Sequence, residues 1–133
     1  MISLETQIRV LYAHTDTMGV VSNVRYLEYF EAGRNELLRK IGFPYPEMEK
    51  ENIALPVIEA NIKYISTAKY DDIITIKSEI KDKPTVKIKI FYELSVDKKI
   101  ITTGFTIHSF INLSTFKPSR PPQRLLNLIN DKN

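Results

Sequence analysis

A chain of 133 residues, 43% hydrophobic and 26% charged, carries enough apolar material for a core, and residues 1–133 are expected to fold as a single domain. It has no cysteine, which excludes disulfides, a thiolate nucleophile and Cys-based zinc sites. A net charge of +3 and a pI near 9.0 lean toward anionic partners, but the lysines are dispersed and form no nucleic-acid motif, so no nucleic acid is expected.

The opening Met-Ile-Ser-Leu-Glu-Thr-Gln-Ile-Arg alternates and carries Glu5, unlike a signal peptide. No apolar run approaches the roughly 20 residues of a membrane span, so the expected setting is the cytoplasm. The alternation predicts a first strand over residues 5–13, with Ile8, Val10 and Tyr12 on one face and Gln7, Arg9 and Leu11 on the other. A turn follows through Thr15 to Gly19, with Ser22 or Asn23 placed to cap a helix. That helix runs to about Lys40, where Ile41-Gly42 and the Pro44 behind it form a stop.

On the helix, Tyr26, Phe30, Gly33, Leu37 and Ile41 recur at steps of three or four and mark a buried stripe that Leu27 and Leu38 widen. Glu28, Glu31, Arg34, Asn35, Glu36 and Arg39 make the other side. Gly33 inside the stripe costs about 1 kcal/mol of helix propensity, and close approach of a sheet is a physical reason to keep it. After one helical turn around residues 46–51, strands are predicted over 54–65, 72–80, 85–96 and 100–113. Asp97-Lys98-Lys99 suits a hairpin connection without the usual glycine, the prolines after Lys117 end the sheet, and residues 123–129 suit a terminal helix. One long striped helix among strands is an α+β pattern: an antiparallel sheet curled around a central helix.

The chemistry concentrates before that helix. Asp16 stands in the turn, and two readings of it stay open: a turn or capping carboxylate, or a nucleophile or general base. The backbone N–H groups of Val21, Ser22, Asn23 and Val24 open the helix without partners of their own, and could face a developing oxyanion beside Asp16. His14 makes a His-x-Asp spacing with Asp16, but no third ligand is suggested, so no metal is expected and a local hydrogen bond is the better reading. His108 reads as a satisfied strand histidine. Asp71-Asp72 read as turn residues at a strand entry. Lys69, Lys117 and Arg120 are surface cations able to meet phosphates, or simply solvated.

The stretch Asp16-Thr-Met-Gly-Val-Val, the helix Tyr26-Leu-Glu-Tyr-Phe-Glu-Ala-Gly-Arg-Asn-Glu-Leu-Leu and the later Ala68-Lys-Tyr-Asp-Asp closely resemble the hotdog-fold acyl-CoA thioesterases of the 4-hydroxybenzoyl-CoA thioesterase family. That resemblance spans most of the chain. It implies the hotdog fold, with about five antiparallel strands wrapped on one helix, and hydrolysis of an acyl-CoA to free acid and CoA without any cofactor. It implies Asp16 as the carboxylate and the main-chain N–H of Asn23 as the group polarising the thioester. Tyr26 and Phe30 would wall the acyl pocket, Lys69 and Arg120 would meet the CoA phosphates, and Glu59, on a strand facing the helix, is a secondary candidate for a neighbouring subunit's site. A homodimer or homotetramer is implied, with sites at the subunit interface. Asn23 stands where many relatives carry His, Arg25 where they carry Asn, and Thr67 where they carry Pro. Asn cannot shuttle a proton near neutral pH. The alternatives are a non-catalytic acyl-CoA or acyl-carrier-protein binding module on the same fold and, behind it, a hotdog dehydratase or hydratase.

Overall fold

The computed structural model describes residues 1–132; Asn133, the last residue of the expected domain, lies outside the described residues. In chain order the elements are β1 (Ile2–Arg9), α1 (Tyr26–Ile41), α2 (Tyr45–Lys50), β2 (Ile53–Ala54), β3 (Val57–Tyr64), β4 (Ile73–Ile80), β5 (Lys87–Val96), β6 (Lys99–Ser109), β7 (Ile111–Asn112) and α3 (Gln123–Lys132). The main sheet is five-stranded and antiparallel, ordered β1-β4-β5-β6-β3, while β2 and β7 pair separately. This sheet curls around α1, which is the hotdog arrangement. Among the described residues no helix is long and apolar enough to cross a membrane.

The alternation expected of the strands decides the inner face. Ile74, Ile76, Ser78 and Ile80 of β4, Ile88, Ile90, Tyr92 and Leu94 of β5, and Thr102, Thr106 and His108 of β6 are all buried on it. Against them α1 lays Tyr26, Tyr29, Phe30, Gly33, Leu37, Leu38 and Ile41. The expected stop holds: Gly42 adopts φ 102° and its N–H, with that of Phe43, closes on the Leu38 carbonyl. The helix lies close because two positions lack a Cβ. A Cβ on Gly33 would meet the Ser78 hydroxyl and come within 2.6 Å of the Ile76 Cγ2; one on Gly104 would run into the Asn61 carbonyl oxygen and sit 2.9 Å from the Phe30 ring.

Several expectations need correction. The first strand ends at Arg9, not at residue 13. Val10 exchanges backbone bonds with Asp71 and Asp72, and the chain then tightens into a 3-10 turn over Tyr12–His14, whose Leu11 N–H donates to the His14 Nδ1. Tyr12 is therefore exposed instead of sharing the face of Ile8 and Val10. Leu27 is also exposed, because α1 packs chiefly on β1, β4 and β5 and leaves the Leu27 side facing the uncovered strand β3. Arg34, placed on the polar side by periodicity, is buried, and its Nε donates to the Tyr45 hydroxyl at 3.4 Å. The strand expected over 54–65 is broken at Pro56, which has no N–H to give a ladder, and the one over 100–113 is broken at the buried Phe110. Between β5 and β6 the turn residues Asp97 and Lys98 both take positive φ, 50° and 66°, so the two-residue hairpin forms without glycine.

Gly104→Ala is expected to lower the urea midpoint, with m unchanged, by an amount equivalent to about 1–3 kcal/mol. The obstacle is a neighbouring main-chain carbonyl, which cannot rotate aside as a side chain could.

Candidate active site

Between β1 and α1 the chain doubles back on itself. Thr15 pairs with Val21 across a tight loop, closed by the Asp16 N–H on the Val20 carbonyl at 2.9 Å and the Gly19 N–H on the Asp16 carbonyl at 3.0 Å. Gly19 takes φ 78°, a conformation that favours glycine. The Asp16 Oδ1 accepts the Met18 N–H at 2.9 Å, an Asx turn of the kind a turn carboxylate makes. No described donor reaches Oδ2. The same carboxylate therefore both builds the loop and keeps one oxygen unengaged.

Two further backbone bonds hold the loop against the fold: Val21 N–H to the Ala68 carbonyl at 2.9 Å and Ser22 N–H to the His14 carbonyl at 2.8 Å. Ser22 is extended (ψ 138°) and begins a 3-10 turn over Asn23–Arg25 that runs straight into α1. Its side chain makes no capping bond, so the expected cap is positional only. The first amide to bond back into the turn is that of Arg25, onto the Ser22 carbonyl at 2.9 Å. The N–H groups of Asn23 and Val24 precede any intrahelical acceptor and lie at the positive end of the helix dipole.

These pieces enclose a cavity of about 360 Å³ lined by Asp16, Met18, Val20, Val21, Asn23, Tyr26, Tyr64, Ser66 and Thr67. A ladder of rings stands behind it. Tyr64 meets Tyr26 edge-on with centroids 5.3 Å apart, Tyr26 meets Tyr29 at 5.7 Å, and the Tyr29 hydroxyl lies 2.9 Å from the His14 Nδ1. Because that nitrogen already accepts the Leu11 N–H, it is unprotonated and Tyr29 donates to it. Burial, with the nearby Tyr26 and Glu28, pushes the Tyr29 phenol up to about 12, so it stays a donor throughout the physiological range. Among the described residues no group of three His, Asp or Glu side chains is placed to hold a metal ion.

Asp16, Val21, Asn23 and Tyr26 line one cavity, but of the four amides expected to be without partners those of Val21 and Ser22 are taken by the Ala68 and His14 carbonyls, because the chain there is still part of the loop's own pairing. Ser22 is half-buried at the helix start and Val24 is exposed beside it. Phe30 is fully buried deeper in the core, stacked on Tyr92 at 4.2 Å, and does not line the cavity. Glu59 pairs with Ile107, and opposed residues share a face; since Thr106 and His108 point inward, Glu59 stands on the outer face, away from the helix. Lys69 is exposed and pairs through its backbone with Val20, beside the cavity. Arg120 is exposed and is not among the lining residues. Tyr64, Ser66, Thr67, Met18 and Val20 were missed as lining residues. For Tyr64 and Thr67 the signal was their place in the segment leading to Ala68-Lys-Tyr-Asp-Asp, which the loop and helix start dock against.

His108 lies elsewhere, fully buried in a polar chain. Its Nδ1 donates to the Leu55 carbonyl at 3.0 Å, its Nε2 accepts from the Thr106 hydroxyl at 2.8 Å, and Thr106 accepts from the Tyr92 hydroxyl at 2.6 Å. Burial above all, with some help from the Arg34 charge, pushes its pKa down from 6.5 to about 4. A neutral imidazole favoured on folding contributes stability that is complete above pH about 6.5 and is lost as pH falls toward 4. Urea unfolding across that window is expected to show falling stability in the wild type and a flatter dependence in His108→Asn.

A family model of the thioesterase-like superfamily matches residues 10–129. A putative acyl-CoA thioesterase of Bacillus subtilis is 31% identical over 113 residues, covering 84% of this chain and 82% of that protein. An acyl-CoA thioesterase of Haemophilus influenzae is 29% identical, with 89% of this chain and 88% of its own length covered. Among solved structures, the DHNA-CoA thioesterase of Staphylococcus aureus superposes with a TM-score of 0.88 at 30% identity, over 100% of this chain and 97% of that one.

Proposed function

The chain belongs to the thioesterase-like superfamily, and from that premise we propose that it hydrolyses an acyl-CoA thioester to a free acid and CoA thiol, with Asp16 as the reacting carboxylate. The observation that carries this reading is that Asp16, whose Oδ2 meets no described donor, and Asn23, at the start of the turn leading into α1, line one small cavity. The thioester carbonyl oxygen docks on the N–H groups of Asn23 and Val24. Asp16 then attacks the carbonyl carbon or takes a proton from the water that does. Charge developing on the carbonyl oxygen is held by amides that need no reorganisation. In the general-base route, collapse breaks the C–S bond, the proton taken by Asp16 passes to the leaving thiolate and the carboxylic acid remains. In direct attack the same break leaves a mixed anhydride on Asp16, and a water then cleaves it to the free acid and the regenerated carboxylate, its released proton neutralising the thiolate. Lys69 stands beside the opening, where it meets a CoA phosphate. Isotope uptake into Asp16 during a single turnover in labelled water separates direct attack from general-base chemistry.

The active form is a homo-oligomer. Every residue of β3 except Ile62 is exposed, including Val57, Ile58 and Tyr64 at 45%, 50% and 52%. An uncovered apolar edge strand is a surface that a second copy closes. Sedimentation is expected to return a dimer or tetramer, and a fully active monomer would contradict this.

Asp16→Asn is expected to lower thiol release by about 10²–10⁴-fold on whichever acyl-CoA of a short, long and aromatic panel is turned over best. Equal binding without turnover in wild type and variant would instead identify a binding module. Because the amide and not the side chain of residue 23 is used, Asn23→Ala stays within a few-fold of wild type. Asn23→Pro, tolerated at a helix start after the extended Ser22, loses about 10²–10³ in kcat.

A further inference from the structure

The cavity wall holds a hydroxyl that the chemistry above leaves unused. Tyr64 closes β3, lines the cavity beside Asn23 and Tyr26, and donates its phenol proton to the Asn23 carbonyl oxygen at 3.0 Å. The ring is fixed as well as the hydroxyl, lying edge-on to Tyr26 at an interplanar angle of 79°. A trans peptide points its C=O and its N–H in opposite directions. With the Asn23 carbonyl taken on one side by Tyr64, the Val24 N–H of the same peptide is directed the opposite way, toward the opening end of the helix. That first turn is 3-10, whose hydrogen-bond geometry is poorer than that of an α-helix, so its peptide planes are held less firmly by the helix itself.

We propose that Tyr64 is a positioning residue for the hydrolysis, its hydroxyl fixing the Asn23–Val24 peptide so that the amides at the helix start keep one orientation toward the oxyanion. The inference rests on reading the Asp16 cavity as a thioesterase site. Tyr64 touches no reacting atom in this role. It acts through the backbone, and its contribution appears in the transition state, where the charge to be held is largest, and hardly at all in ground-state binding.

The test is Tyr64→Phe, which keeps the ring and its stacking and removes only the donor. Three quantities are measured on the full chain: kcat and KM for the best acyl-CoA of the panel, the melting temperature, and the backbone amide resonance of Val24. The expected result is a kcat lower by about tenfold with KM within twofold, an unchanged melting temperature and a displaced Val24 resonance. A kcat equal to wild type, or a Val24 resonance that does not move, overturns the proposal while leaving the role of Asp16 standing. A parallel fall in melting temperature and a matching rise in KM would mark a general packing role and overturn it too. If wild type and Asp16→Asn alike release no thiol from any member of the panel, the thioesterase reading itself fails and this inference falls with it.

Discussion

Everything functional in this molecule depends on how closely α1 can approach the sheet. At Gly33 on the helix and Gly104 on β6 a Cβ would have no room: Ser78 and Ile76 of the sheet stand against the first, and the Asn61 carbonyl of β3 with the Phe30 ring of the helix against the second. A helix seated that firmly has little freedom to slide or roll, because a close-packed core does not deform continuously. Its first turn is then fixed in space by the packing of later turns. Three backbone bonds hold the Asp16 loop beside that end: Asp16 to Val20 and Ser22 to His14 close the loop on itself, and Val21 to Ala68 fastens it to the segment before β4. A carboxylate on a loop becomes as well placed as one on a rigid element.

The polarity of the cavity follows from that seating. Unpaired amides and the positive end of the dipole are unavoidable where a helix begins. What this chain adds is a carboxylate alongside and a set of phenols that hold the backbone in place. Burial raises the pKa of both Tyr26, which lines the cavity, and Tyr29 behind it, so these rings stay neutral and add no competing charge. His14, which spacing alone paired with Asp16 as half of a metal site, is turned to Leu11 and Tyr29 by its Nδ1. It belongs to the scaffold that anchors the loop.

Those parts of the fold governed by short-range periodicity were legible from the residues. The stripe of α1, the left-handed stop at Gly42 and the alternation of β4 and β5 each reflect one element burying one face. Tyr12, Leu27 and Arg34 were misplaced because their burial depends on which strands the helix covers, a long-range fact that periodicity does not carry. Arg34 has the spacing of a solvent-facing residue, yet the phenols of Tyr45 and Tyr92 give it a polar interior to enter. Asp16 and Asn23 were legible as neighbours because only a short loop separates them. Tyr64 and Thr67 reach the same cavity through the bridge of Val20 with Lys69 and the bond from Val21 to Ala68, pairings between distant segments with no local signature.

β3 joins the two halves of the argument. Its inner face is left open by α1, its outer edge has no neighbour, and its last residue reaches the carbonyl of the helix start. A second copy laid along this edge would pair the exposed backbone and restrict the strand that carries Tyr64. The orientation of the helix-start amides would then respond to assembly through Tyr64. In an isolated chain the same strand is paired on one side only, by β6. On this view oligomerisation does more than hide an apolar edge. It would stiffen the strand whose last residue, Tyr64, lines the Asp16 cavity.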